Sequence, residues 1–324
     1  MAMILKGAPV AAALTEQAEQ KAALLKEQGI QPTLAILRVG ERSDDLSYER
    51  GAIKRCGKAG INVVQAVLPE DVAPEVFFRT LQDLNCDPAV HGILMFRPLP
   101  PQLDGEKARQ MLEPSKDVDG CTDGSLAGVF TNTASGFPPC TARAAMELLK
   151  YYGIDPKGKR AAVIGRSLVI GRPVAMLLMH ANATITVCHT RTLDVPSVTR
   201  EADLIIAASG QMESIGTDYF RPLPAETASI GNGQEAASIG NGQEAESSDN
   251  GQEAASTGNG QVVVDVGIGW NEAKQKLCGD VRFEEAEPLV SAITPVPGGV
   301  GAVTTAVLAL HTVEAALRSL KIKA

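Results

Sequence analysis

The chain has 324 residues, enough for two domains of ordinary size, and is 44% hydrophobic but only 4% aromatic. Its net charge of −8 excludes a general nucleic-acid binder, whose footprint is basic. Six cysteines (Cys56, Cys86, Cys121, Cys140, Cys188, Cys278) are scattered without a Cys-x-x-Cys pair, which excludes the usual zinc and disulfide frameworks and suits reduced thiols.

Residues 1–7 lack the apolar core of a signal peptide, and no apolar run is expected to reach membrane-spanning length. A cytoplasmic protein with no nucleic-acid, membrane or metal partner is therefore expected. Val10, Ala13, Leu14, Ala18, Ala22 and Leu25 recur at helical spacing and predict a helix over 8–28. Residues 33–39 predict a strand, 44–59 a helix, 61–68 a strand, 73–85 a helix and 90–95 a third strand. Such alternation implies a parallel sheet covered by helices, hence an α/β fold. Residues 97–140 read as a loop-rich stretch. A helix near 141–153 bridges to a second αβ unit, with strands near 160–165, 183–189, 203–208 and 262–267. Within it, Met176-Leu177-Leu178-Met179 reads as helix core packing. The final helix, 301–320, reads as apolar along one face: Val303, Ala306, Val307, Leu310, Leu317.

Residues 228–261 break the alternation. A nine-residue unit, Ala228-Ser229-Ile230-Gly231-Asn232-Gly233-Gln234-Glu235-Ala236, recurs in tandem with variation. Rich in Gly, Ser, Asn, Gln and Glu, it has nothing apolar to stack and is expected to be a flexible loop insertion.

Two runs point to chemistry. Val163-Ile164-Gly165-Arg166-Ser167-Leu168-Val169-Ile170-Gly171-Arg172-Pro173 reads as strand, glycine turn and helix start. That arrangement presents backbone N–H groups to a phosphate. Two arginines and a serine add donors suited to a second phosphate, such as the one that separates NADP from NAD. The spacing is not Gly-x-Gly-x-x-Gly, so a glycine turn closing any αβ unit remains an equal reading. The second run, Thr294-Pro295-Val296-Pro297-Gly298-Gly299-Val300-Gly301, is a shaped apolar loop whose glycines expose backbone donors.

With these runs, the chain resembles the bifunctional methylenetetrahydrofolate dehydrogenase/cyclohydrolase family. The resemblance is carried by residues 40–48, Pro98-Leu99-Pro100, Lys116-Asp117-Val118-Asp119-Gly120, Pro139-Cys140-Thr141, the 165–173 turn and His189-Thr190-Arg191-Thr192. It continues in Val264-Asp265-Val266-Gly267, Gly279-Asp280-Val281 and 295–301. It implies NADP, in preference to NAD, as the cofactor, tetrahydrofolate derivatives as substrates, and a homodimer. It also implies a folate domain over 1–140, completed by 295–324, and a Rossmann-like domain over 141–294.

By the same resemblance, Tyr48 and Asp119 are the catalytic pair. Tyr48 stacks on the folate, and Asp119 contacts the pterin. Pro98, Leu99, Pro297, Gly298 and Gly299 join them in binding substrate. Gly165, Arg166, Ser167, Gly171, Arg172, His189 and Arg191 bind the cofactor. Two positions depart from the family pattern: Ala52 stands where a lysine is expected four residues after Tyr48, and Phe96 where its glutamine partner is expected. Lys54, about 240° around a helix from Tyr48, and Arg55, roughly 10 Å further along, are poor substitutes. Arg97 reads either as a new positive charge in the site or as a solvated loop residue. Two other readings stay open: a folate- or nucleotide-binding relative without catalysis, and an NAD(P) enzyme acting on another small molecule.

Overall fold

A computed structural model describes residues 1–223 and 259–322. The first half runs β1 (Met3–Ile4), α1 (Gly7–Glu27), β2 (Thr33–Val39), α2 (Ser43–Lys58), β3 (Asn62–Leu68), α3 (Pro74–Cys86), β4 (Gly92–Met95), α4 (Gly105–Met111) and α5 (Asp123–Thr131). The second runs α6 (Cys140–Tyr151), β5 (Arg160–Ile164), α7 (Gly171–His180), β6 (Thr184–Cys188), α8 (Val195–Glu201) and β7 (Leu204–Ala207). After the repeats come β8 (Val262–Asp265), β9 (Gly269–Asn271), β10 (Lys276–Cys278), α9 (Phe283–Ala286), β11 (Ala292–Ile293) and α10 (Thr304–Ile322).

The expected pair of parallel sheets is present. One has the order β3-β2-β4 and the other β1-β11-β8-β7-β5-β6, while β9 and β10 form an antiparallel hairpin. β2 is buried along its whole length. A continuous apolar run, not alternation, is what a parallel strand with both faces covered requires. Its one charge, Arg38, is paired with Glu49 of α2 at 2.8 Å.

The structure corrects several expectations. Residues 97–140 contain α4 and α5. Asp104 caps α4 by accepting from the backbone N–H groups of Glu106 and Lys107; Thr122 caps α5, which ends at left-handed Asn132. Met3 pairs with Ala292 in the larger sheet, so the first residues join the second unit rather than the first. In α7 Leu178 is buried and Met176 and Leu177 pack against the same core, as expected, but Met179 is exposed.

α10 is buried nearly all round, not along one face: Ala306, Val307, Leu308, Ala309, Leu310, Val313 and Ala316 all leave solvent, as does Val303 just before it. It packs on α1, α2 and α6 and beneath β2 and β4. Contrary to expectation, this segment is long and apolar enough to cross a membrane, but it is mostly buried inside the protein.

The repeats at 228–258 lie outside the described residues. The last three residues assigned to the insertion do not behave as one. Asn259 and Gln261 are buried, and the Gln261 amide donates to the Thr199 and Ala202 carbonyls at 2.8 and 2.7 Å. These bonds secure the entry to β8.

Candidate active site

Chain direction places the ends of the parallel strands, where the connecting loops begin, beside two clusters of polar groups. The first surrounds Tyr48 and Asp119. α2 is held on its sheet by the buried Arg38–Glu49 pair and by Gln65, whose amide donates to Glu49 at 2.7 Å; Arg38 also donates to the Gly40 carbonyl. This fixes Tyr48 against Phe96, with ring centroids 6.0 Å apart and planes at 85°. The Tyr48 hydroxyl shares a hydrogen bond with Thr304 at the start of α10, and burial pushes its pKa well up, so it stays a neutral phenol.

Asp117 and Asp119 divide the work of their loop. Asp117 is wholly buried and accepts from Cys121 N (3.0 Å), Thr122 N (2.7 Å) and Ser125 Oγ (2.6 Å). It is therefore the turn-capping residue, and Asp119 is left for other contacts. Asp119 hydrogen-bonds Cys140 at the start of α6 and stands 3.8 Å from the Arg97 guanidinium. Burial pushes its carboxyl up to about 6, opposed chiefly by Arg97 and reinforced by Asp117. The side chain keeps 27% of its exposure, an opening toward solvent. Arg97 is thus an ion-paired member of the site rather than a solvated loop residue.

The departures from the family pattern hold in three dimensions. Ala52 is fully buried in the apolar core. Arg55 turns away to donate to Thr15 Oγ1 of α1 at 3.0 Å, and Lys54 is exposed. Of the remaining substrate candidates, Pro98 is exposed and Leu99 packs on the core beneath the smaller sheet. Pro297 and Gly298 are exposed and Gly299 is buried. The Gly298 carbonyl accepts from Gly7 N at 2.7 Å, anchoring the loop to the start of α1.

The second cluster lies where β5, β6 and β7 end. Gly165 has φ 122°, and a Cβ there would fall 2.0 Å from the Ala208 carbonyl oxygen; at Gly171 it would fall 2.2 Å from that of Gly165. Only glycine allows this approach of loop and helix. Gly165, Arg166, Ser167, His189, Gln211 and Tyr219 line a cavity of ≈ 280 Å³ with neighbouring loop residues. Ser167 Oγ accepts from Ile170 N at 3.2 Å, shaping the turn. Gly171 underlies the turn, while Arg172 and Arg191 lie just outside the lining. Arg166, Arg172 and Arg191 are exposed and form no ion pair among the described residues, which leaves their guanidinium groups available to a phosphate. Backbone N–H of Arg191 donates to His189 Nδ1 at 3.1 Å, orienting that ring.

Some contributors were not assigned roles by the sequence. Cys140 lies in the Pro139-Cys140-Thr141 motif and Thr304 just after the 295–301 loop, but nothing in the local sequence shows that they meet Asp119 and Tyr48. Asp265 accepts from Gly267 N, Asp280 N and Val281 N; Asp280 accepts from Ser209 N, Ser209 Oγ and Gly210 N. Together they tie down the loops after β7 and β8. Their motifs were visible, but a paired latch is not readable from either alone. Burial pushes Asp265 up to about 7 against its three N–H donors.

A glycine cradle with free arginines at the ends of parallel strands, and a tyrosine–carboxylate wall on a second αβ unit, define a nucleotide-linked α/β enzyme. Residues 5–119 match the model of the tetrahydrofolate dehydrogenase/cyclohydrolase catalytic domain, and residues 139–231 and 253–320 match that of the NAD(P)-binding domain. The bifunctional protein FolD of Carboxydothermus hydrogenoformans is 44% identical over 97% of each chain, and that of Alkaliphilus oremlandii is 41% identical over the same share of each. Among solved structures, the bifunctional FolD enzyme of Campylobacter jejuni superposes with a TM-score of 0.83 at 34% identity, covering 98% of this chain and 99% of its own. The Trypanosoma brucei enzyme, complexed with NADP and an inhibitor, gives 0.81 at 30% identity over 99% of each chain. The chain belongs to the tetrahydrofolate dehydrogenase/cyclohydrolase family.

Proposed function

We propose that this protein oxidises 5,10-methylenetetrahydrofolate to the 5,10-methenyl form with NADP. The observation that carries the reading is the convergence of Tyr48, Phe96, Arg97, Asp119 and Cys140 from separate elements, in a chain that also carries the Gly165–Gly171 cradle. NADP, when bound, accepts the hydride. Gly165, Arg166, Ser167 and His189 would hold it, and the close-packed glycines with unpaired arginines fit a phosphate-bearing ligand. The folate wall has mainly to position the donor carbon: Tyr48 supplies an aromatic face and Asp119 a carboxylate for the amino-pyrimidine edge.

Hydrolysis, the second activity of the family, is expected to be weak here. Attack of water on the methenyl carbon needs a proton delivered to the departing nitrogen. Ala52 and Phe96 cannot carry one, and Arg97 is a poor proton donor. A non-catalytic binding protein is the weaker reading, since the site's aromatic, carboxylate and glycine features are all in place. The proposal extends to a cytoplasmic homodimer, supported for the compartment by six free thiols.

Paired steady-state assays test it. Methylenetetrahydrofolate should drive saturable NADP reduction, while methenyltetrahydrofolate should decay near its spontaneous rate. No NADP reduction would sink the first reading, and ordinary hydrolytic turnover the second.

A further inference from the structure

Arg97 directly follows Phe96, whose ring touches Tyr48, and its guanidinium lies 3.8 Å from Asp119. Any ring that stacks on Tyr48 and pairs with Asp119 therefore lies within reach of that guanidinium. The charge is permanent, because arginine does not deprotonate in proteins. Arg97 Nε is buried and has no hydrogen-bond partner among the described residues, so the group is not fully engaged by its salt bridge. Arg97 is, besides, the only charged side chain in the Met95–Pro100 turn.

We infer that Arg97 determines the charge preference of the folate wall, disfavouring a cationic pterin derivative relative to a neutral one. This rests on the folate reading above. In the proposed reaction the methylene carbon loses a hydride, with both electrons of its C–H bond, to the nicotinamide ring. NADP⁺ becomes NADPH, and the folate gains one positive charge. Substrate and product thus differ by one positive charge, carried on the folate's bridging carbon and its two nitrogens, in the same cleft as the guanidinium beside Asp119, and the longer-range repulsion falls on the product. The methenyl cation is retained less firmly than the neutral forms and is released. That outcome suits a site in which Ala52 and Phe96 provide no means of hydrolysing it.

Equilibrium binding of 5,10-methenyltetrahydrofolate and of tetrahydrofolate to the full chain tests this, with wild type, Arg97→Leu and Arg97→Lys compared. The ratio of the two dissociation constants is the readout. Arg97→Leu should shift it by about tenfold in favour of the cation, and Arg97→Lys should leave it near wild type. An unchanged ratio in Arg97→Leu, with both affinities lowered equally, would show that Arg97 only props Asp119, and would overturn the inference while leaving the folate reading standing. A shift of equal size in Arg97→Lys would overturn it as well, since charge would not be the cause. Should wild type bind neither folate, the reading beneath it fails too, and that is distinguishable from the ratio alone.

Discussion

Asp119 can act on a ligand because Asp117, two residues earlier, takes over the backbone of the same loop. Its carboxyl titrates near 6 instead of the ordinary 3.8, with burial as the main cause. Between these values the folded enzyme holds the proton, and above about 6 the carboxylate is free to accept from an amino-pyrimidine edge. The kcat/KM for methylenetetrahydrofolate, which reports the free enzyme, should therefore fall as pH drops through about 6. Asp119→Asn should give a low profile without that inflection. At the other cluster, Arg166→Ala should raise KM for NADP at least tenfold while changing that for NAD little, as expected for loss of a charge-assisted phosphate contact of about 1.5–3 kcal/mol. Steady-state kinetics with both nucleotides decide this; equal effects would mean that the 2′-phosphate is read elsewhere.

Placement of Tyr48 depends on α2 as a whole. Glu49 sits between Arg38 and Gln65 with both carboxylate oxygens engaged. Glu49→Ala would strand a buried guanidinium, at a cost of about 3–5 kcal/mol. Urea unfolding should show that loss, together with a raised KM for folate; a loss under about 1 kcal/mol would mean the pair is dispensable. At this scale the alternation of strands and helices was legible, because buried parallel strands read as apolar runs such as Thr33–Val39. α5 was missed although Thr122 and Ser125 carry a cap signal, because glycine and proline around it suggest loop. β1 and β11, two residues each, leave no periodicity to read. Tyr48 and Asp119 were legible only through family resemblance. The Arg97–Asp119 pair was not, since it joins two loops that sequence alone does not bring together.

For the whole molecule, the repeats are the part that the family match leaves out. The match to the NAD(P)-binding domain stops at 231 and resumes at 253, skipping most of them. Deleting 232–252 should leave NADP reduction within twofold and the melting temperature within about 2 °C, as expected if the stretch skipped by the family match adds under about 1 kcal/mol. Calorimetry and the dehydrogenase assay check this.

The pairing of Met3 with Ala292 has a consequence for how the chain folds. Closing so long a loop makes this contact entropically late, as does docking α10 against α1. The smaller sheet is synthesised early but gains its covering helix only when the far end of the chain emerges. Until then the apolar surfaces of α1 and β2 that α10 covers stay open, and exposed apolar surface of that kind favours aggregation.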